Sequence, residues 1–176
     1  MAIERKEFMN VLRESYSAYY NVIENTGEGS VTDLPLLFKA DYLQRGEKYW
    51  LTKSIPIWGN VTNEFCYVFT DEFFDRSTVS RCIDYALDDG LPRVKPHKEH
   101  QYTNIKTVFI ASAFDRDALE EIKSRKFSKS YNHSFWGYSN LLTGAVNLST
   151  EKVVTNRAGA DLDKYFRKLF TALKKK

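Results

Sequence analysis

The chain has 176 residues, 43% hydrophobic, 15% aromatic and 28% charged, with a net charge of +3. That apolar content excludes a disordered chain, and no apolar run reaches the ~20 residues of a membrane span. A pI near 8.7 falls short of the dense basic face of dedicated nucleic-acid domains, whose pI exceeds about 9. Residues 1–7 are charged and lack the apolar centre of a signal peptide, so the expectation is one globular, cytoplasmic domain over 1–176.

Phe8, Leu12, Tyr16, Tyr19 and Ile23 recur in steps of three and four, which predicts a helix with one apolar face. The cluster Asn25-Thr26-Gly27-Glu28-Gly29-Ser30 ends it in a loop. From Leu36 the period becomes two, with Leu36, Phe38, Ala40 and Tyr42 alternating with Leu37, Lys39 and Asp41 as in a strand. A turn is expected at Gln44-Arg45-Gly46-Glu47. A second strand should follow through Tyr49, Leu51 and Lys53, ending or lying at an edge at Pro56, with another turn at Trp58-Gly59-Asn60. Phe65-Cys66-Tyr67-Val68-Phe69 is apolar on both faces and so predicts the central strand of an antiparallel meander.

Helical spacing returns in Val79, Cys82, Ile83, Ala86 and Leu87, with Ser77 as the expected N-cap and Gly90 and Pro92 as the stop. Residues 91–104 show no period, and unstructured connections of that length tend to be functional or mobile. Residues 105–114 read as another strand apolar on both sides. Asp115 should cap a helix that turns Ala118, Leu119 and Ile122 inward, with acids at its start and Lys123, Arg125 and Lys126 at its end to suit the helix dipole. A strand over 131–138 and a hairpin through 145–148 and 152–154 follow. The last helix carries Leu162, Tyr165, Phe166, Leu169, Phe170 and Leu173, and Lys174-Lys175-Lys176 is its solvated end. No internal repeat is apparent.

A meander buries both faces of its central strand only if helices lie on either side, and strand–helix–strand units make right-handed parallel crossovers. The expected fold is therefore α/β (or α+β), a three-layer α/β/α sandwich with a mixed sheet and the order α-β-β-β-α-β-α-β-β-β-α.

Cys66 and Cys82 have no Cys or His at metal-ligand spacing and read as buried thiols of a reducing compartment. Without a secretory signal, the Asn-x-Ser/Thr triplets at Asn60, Asn132 and Asn147 are accidents of composition. Glycine-rich phosphate loops, a nucleophile elbow and the His-Glu-x-x-His pair are all absent, so no cofactor is expected. The junction Thr155-Asn156-Arg157-Ala158-Gly159-Ala160-Asp161 reads as a capped helix start, where Asp161 and Asp163 would repel an anion.

The order helix, three strands, helix, strand over residues 1–115 resembles the core of the restriction-endonuclease-like metal-dependent nucleases. The resemblance implies an acid on one core strand and acid-x-Lys on the next, together holding Mg²⁺ that activates water. The nearest residues are Asp41 and Glu64-Phe65-Cys66, with Cys66 where the lysine belongs and Lys53 as a substitute from the neighbouring strand. The plainer account makes Asp41 and Glu64 strand-end or solvent-face carboxylates. His97, Glu99 and His100, with His133, form a candidate Zn²⁺ or Fe²⁺ set, against the simpler reading as surface histidines.

Charge supplies the remaining clue. Asp71, Glu72 and Asp75 follow one parallel strand, and Asp115 and Asp117 follow the next. Each group opens a helix, so capping is the favoured account. At the opposite sheet edge, Arg93, Lys95, His97, Lys98 and His100 precede one strand, and Arg125, Lys126 and Lys129, with Phe127 and Tyr131 among them, precede another. If the two strands are parallel neighbours, these groups converge into a basic, aromatic patch suited to phosphate or nucleic acid. The expected function is a non-catalytic binding or interaction module for an anionic partner such as nucleic acid, with a metal-dependent nuclease or phosphodiesterase as the alternative. Trp50, Trp58 and Trp136, as exposed rings on strands, would serve self-association, and no membrane partner is expected.

Overall fold

The computed structural model describes residues 4–25, 33–49 and 56–175, and of 45–49 and 56–59 the backbone alone. The first helix, α1 (Arg5–Ser17), buries Phe8, Met9, Leu12 and Tyr16. It stops short of the predicted end. Tyr19 is 76% exposed, and Ile23 belongs to a short strand, β1 (Asn21–Glu24). There the β-branched Val22 and Ile23 pair antiparallel with Ala40 and Lys39 of β2 (Leu36–Tyr49).

Two expected turns are strand instead. β2 pairs antiparallel with β3 (Pro56–Thr70) in a register that sets Gln44 opposite Thr62, Gly46 opposite Asn60 and Lys48 opposite Trp58. Partner strands satisfy the backbone groups at these turn-forming residues, and that outweighs their local preference. The meander exists, but β1 is its third strand. Of the segment predicted as a separate strand, Tyr49 ends β2, and Leu51 and Lys53 lie outside the described residues.

The rest follows the expected order. β4 (Phe73–Phe74), α2 (Arg76–Gly90) and a 3₁₀ turn at Leu91–Arg93 lead to β5 (His100–Ala111). β6 (Ala113–Phe114), α3 (Arg116–Ser124), β7 (Ser128–Ser130), β8 (Tyr138–Asn147), β9 (Lys152–Thr155), a 3₁₀ turn at Arg157–Gly159 and α4 (Ala160–Leu173) complete the chain. The sheet runs β1-β2-β3-β5-β8-β7, with β9 also on β8, and β3, β5 and β8 are mutually parallel.

Three local expectations are corrected. Asp75, not Ser77, caps α2, its Oδ1 accepting from Thr78 N at 2.7 Å. β5 reaches back to His100, so part of the segment without a period is strand. The strand expected over 131–138 is a turn between β7 and β8, where Asn132, His133 and Ser134 all take left-handed φ values of 46, 51 and 72°.

The expectation of no internal repeat is also corrected. Val68-Phe69 and Phe74-Asp75-Arg76 recur as Val108-Phe109 and Phe114-Asp115-Arg116, and the β3–β5 register pairs Val68 with Val108 and Phe69 with Phe109. Phe69 stacks on Phe109 at 5.3 Å and Phe74 on Phe114 at 5.7 Å, while Asp75 and Asp115 cap α2 and α3 alike. Two equivalent strand–helix units therefore lie side by side.

Helices α1 and α4 pack on one face of the sheet, over Phe38, Val68, Val108 and Ile110, and α2 and α3 on the other, over Phe69, Phe109, Ile105 and Leu141. This is the expected three-layer sandwich. On the α1/α4 face, residues in register form rows across β2, β3, β5 and β8. Phe38, Val68, Val108 and Gly144 are buried in one row, and Ala40, Cys66, Lys106 and Leu142 follow. The next two rows, Tyr42-Glu64-Asn104-Asn140 and Gln44-Thr62-Tyr102-Tyr138, lie beyond the apolar core and are half-buried or exposed.

Candidate functional site

The two basic groups do converge at the start of the parallel strands. The His97 ring lies 6.2 Å from that of His100, His100 lies 6.0 Å from Tyr131, and Lys129 Nζ sits 5.5 Å over the Tyr131 ring. β7, which carries Lys129, pairs with the first residues of β8. Parallel β5 and β8 bring both groups to one edge, as a strand–helix–strand crossover requires.

The group does not survive whole. His100 is 3% exposed, with Nδ1 bonded to the Trp136 carbonyl at 2.7 Å and Nε2 to Thr103 Oγ1 at 2.9 Å. It is a structural histidine. Arg93 turns to the α2 face, pairs with Asp41 and Asp89, and lies 4.0 Å over the Phe65 ring. Arg125 ends α3 bonded to Glu121 at 2.9 Å and to Asp84. Lys95, His97, Lys98, Lys126 and Lys129 are exposed, and the four lysines form no ion pair among the described residues. A buried or paired charge cannot serve a partner without first breaking its own contacts, so the accessible basic rim is these lysines and His97.

Around that rim lie exposed aromatic side chains beyond those its sequence pattern marked. Phe135 is 78% exposed and Trp136 39%, in the turn before β8 rather than on a strand. Gly137 holds this turn against β5. Its φ is 77°, and a Cβ there would stand 2.5 Å from the carbonyl oxygens of His100 and Gln101, so glycine is required. Tyr138, 39% exposed, stacks on Tyr102 at 6.0 Å with 27° between planes, on the outer row of the α1/α4 face. The alternation of Tyr102, Asn104 and Lys106 with Thr103, Ile105 and Thr107 was the sequence signal for a half-open strand face. Trp50 and the side chain of Trp58 lie outside what is described.

The proposed nuclease residues are not brought together. Asp41 faces the α2 layer and binds Arg93. Glu64 faces the α1/α4 layer, where its Oε2 accepts from Tyr20 Oη and Lys106 Nζ. Strand side chains alternate, and Asp41 pairs in register with Phe65, so Asp41 and Glu64 stand on opposite faces of the sheet. Cys66 lies below Glu64 with its thiol pushed up to about 12 by burial, which keeps it protonated and inert. Among the described residues no three His, Cys, Asp or Glu side chains are grouped to hold a metal. Of the acids at the other edge, Asp75 and Asp115 are caps, Asp115 Oδ1 accepting from Ala118 N, whereas Glu72 is bonded to Arg5 and Ser112.

The junction before α4 is structural, as expected. Asn156 Oδ1 accepts from Thr143 N and Gly159 N, and its Nδ2 donates to the carbonyls of Arg125 and Leu141. No described helix is long and apolar enough to cross a membrane. No curated protein and no solved structure matches the chain. A family model does match, over residues 4–168, and by this the chain belongs to the family described as Domain of unknown function (DUF8052).

Proposed function

We propose that this is a non-catalytic binding module for a single-stranded nucleic acid, held on the outer rows of the α1/α4 sheet face, which no described helix covers, and on the basic edge at the start of the parallel strands. The observation that carries the reading is the stacked Tyr102–Tyr138 pair on adjacent strands, at the same end of the parallel strands as lysines that form no ion pair among the described residues. Tyrosine faces stack on bases without regard to sequence, and lysines neutralise phosphates. A duplex hides its base faces, so single strands are the preferred ligand. The two buried free thiols, Cys66 and Cys82, suit a reducing compartment, and on this reading the domain works in the cytoplasm.

The test is binding of a short single-stranded oligonucleotide across a salt series. Lys126→Glu with Lys129→Glu should weaken binding and lower the salt slope by about 1 for each phosphate no longer neutralised. Tyr138→Ala should weaken it by about 1–3 kcal/mol with the slope unchanged. Absent or salt-insensitive binding rejects the reading. Self-association through exposed Phe135 and Trp136 is then the second reading, tested by a concentration-dependent mass that Trp136→Ser abolishes.

A further inference from the structure

The open sheet face runs inward to a cleft of about 420 Å³ between the end of α1, the start of α4 and strands β3, β5 and β8. Its size falls within the usual range of small-molecule sites, at the low end. Tyr19, Tyr20, Tyr102 and Tyr165 line it, and Glu64 and Lys106 lie at its floor. The ion pair between them is largely buried, with side-chain exposures of 18% and 14%. Tyr16, Tyr20 and Tyr42 pack ring against ring at 5.0 and 5.4 Å, which fixes the α1 wall. Tyr102 belongs both to the cleft and to the stacked pair at the rim, so the two surfaces are continuous.

The bonding at the floor is unfinished in a specific way. Glu64 spends Oε2 on both Tyr20 and Lys106, and no described side chain bonds its Oε1. Lys106 has three donors and uses one on Glu64 and one, at 3.5 Å, on Tyr20. A free acceptor therefore stands next to a free donor, between aromatic walls. The charged lining residues are Glu64, Asp161 and Lys106, a net negative set that disfavours a phosphate inside.

We propose that this cleft takes one unstacked nucleobase, cytosine or adenine, whose exocyclic amino group donates to Glu64 Oε1 and whose adjacent ring nitrogen accepts from Lys106 Nζ. Cytosine N4/N3 and adenine N6/N1 present that pair with the donor on the projecting amino group and the acceptor in the ring, whereas uracil N3–H/O4 and guanine N1–H/O6 reverse it, with the donor in the ring and the acceptor projecting. The phosphates stay outside, toward the lysine rim. The assignment rests on the single-strand reading for its biological sense, but the cleft itself is tested without phosphate.

The experiment titrates the whole chain with cytidine, adenosine and uridine, followed by calorimetry and by amide shifts of Tyr102, Asn104 and Lys106. Cytidine and adenosine should bind about tenfold more tightly than uridine, and Glu64→Gln should abolish that preference. Thermal melting shows whether this variant folds. If it does not, Tyr19→Ser, on a wall residue 76% exposed, should weaken all three nucleosides together through reduced stacking. Equal binding of the three nucleosides, binding of none, or a preference untouched by Glu64→Gln overturns the proposal. Loss of nucleoside binding with oligonucleotide binding intact rejects the cleft and leaves the rim. Nucleoside binding without oligonucleotide binding rejects the rim and leaves the cleft.

Discussion

Asn156 shows how much a single buried amide can organise. Its four hydrogen bonds, at 2.8 to 3.2 Å, use every donor and acceptor of the side chain and join β8, the end of α3 and the 3₁₀ turn before α4. Asn156→Ala would leave several backbone groups unpaired in a site 3% exposed, so a loss of about 3 kcal/mol is expected in urea unfolding. Asp89 predicts a pH effect. Burial opposes its charge, but hydrogen bonds from Tyr67 and Lys39 and the nearby charges of Lys39 and Arg93 outweigh burial and lower its pKa. A depressed carboxylate stabilises the fold above its unfolded pKa, near 3.9, and that contribution is lost as pH falls through the depressed value. Asp89→Asn should therefore melt lower than the natural chain at neutral pH, with the gap closing in acid. The local role of Asp115 was legible, because a cap acts on the next three residues. The pairing of Arg93 with Asp41 was not, since it spans 52 positions and depends on where α2 ends against β2.

At the scale of elements, periodicity succeeded where one face of a segment is buried and failed where pairing supplied the stabilisation. α4 and the core of β3 follow their patterns because their apolar residues are the ones that touch neighbouring elements. Gln44–Glu47 and Trp58–Asn60 carry turn chemistry, yet each lies opposite the other strand and continues the ladder. Tyr19 and Ile23 extend the helical spacing of α1, but neither is buried, so spacing without burial marked no helix. The repeated units lean on their caps: Asp115→Ala should cost about 1 kcal/mol by thermal unfolding, because Ala118 N at the start of α3 would have no acceptor from the cap. The same change would loosen the Phe114–Phe74 stack between the units.

Across the whole molecule, the chain's two ends close one layer. Phe8 of α1 packs against Phe170 at 5.3 Å and Phe166 at 6.4 Å, and Tyr165 Oη donates to Ser15 Oγ at 2.9 Å. Phe166→Ala should lower stability by about 3–5 kcal/mol in denaturant titration. Because no described helix covers the outer rows of the α1/α4 sheet face, the same packing creates the tyrosine platform and its cleft. The alternation of helix and strand, the two apolar central strands and the amphipathic final helix are local properties of composition and spacing, and they determined the three-layer fold and its order. Which cations stayed free, which face each carboxylate took and where tyrosines from α1, β5, β8 and α4 met depended on partners distant along the chain. Those meetings are fixed by register and packing, and a period within one segment carries no information about either.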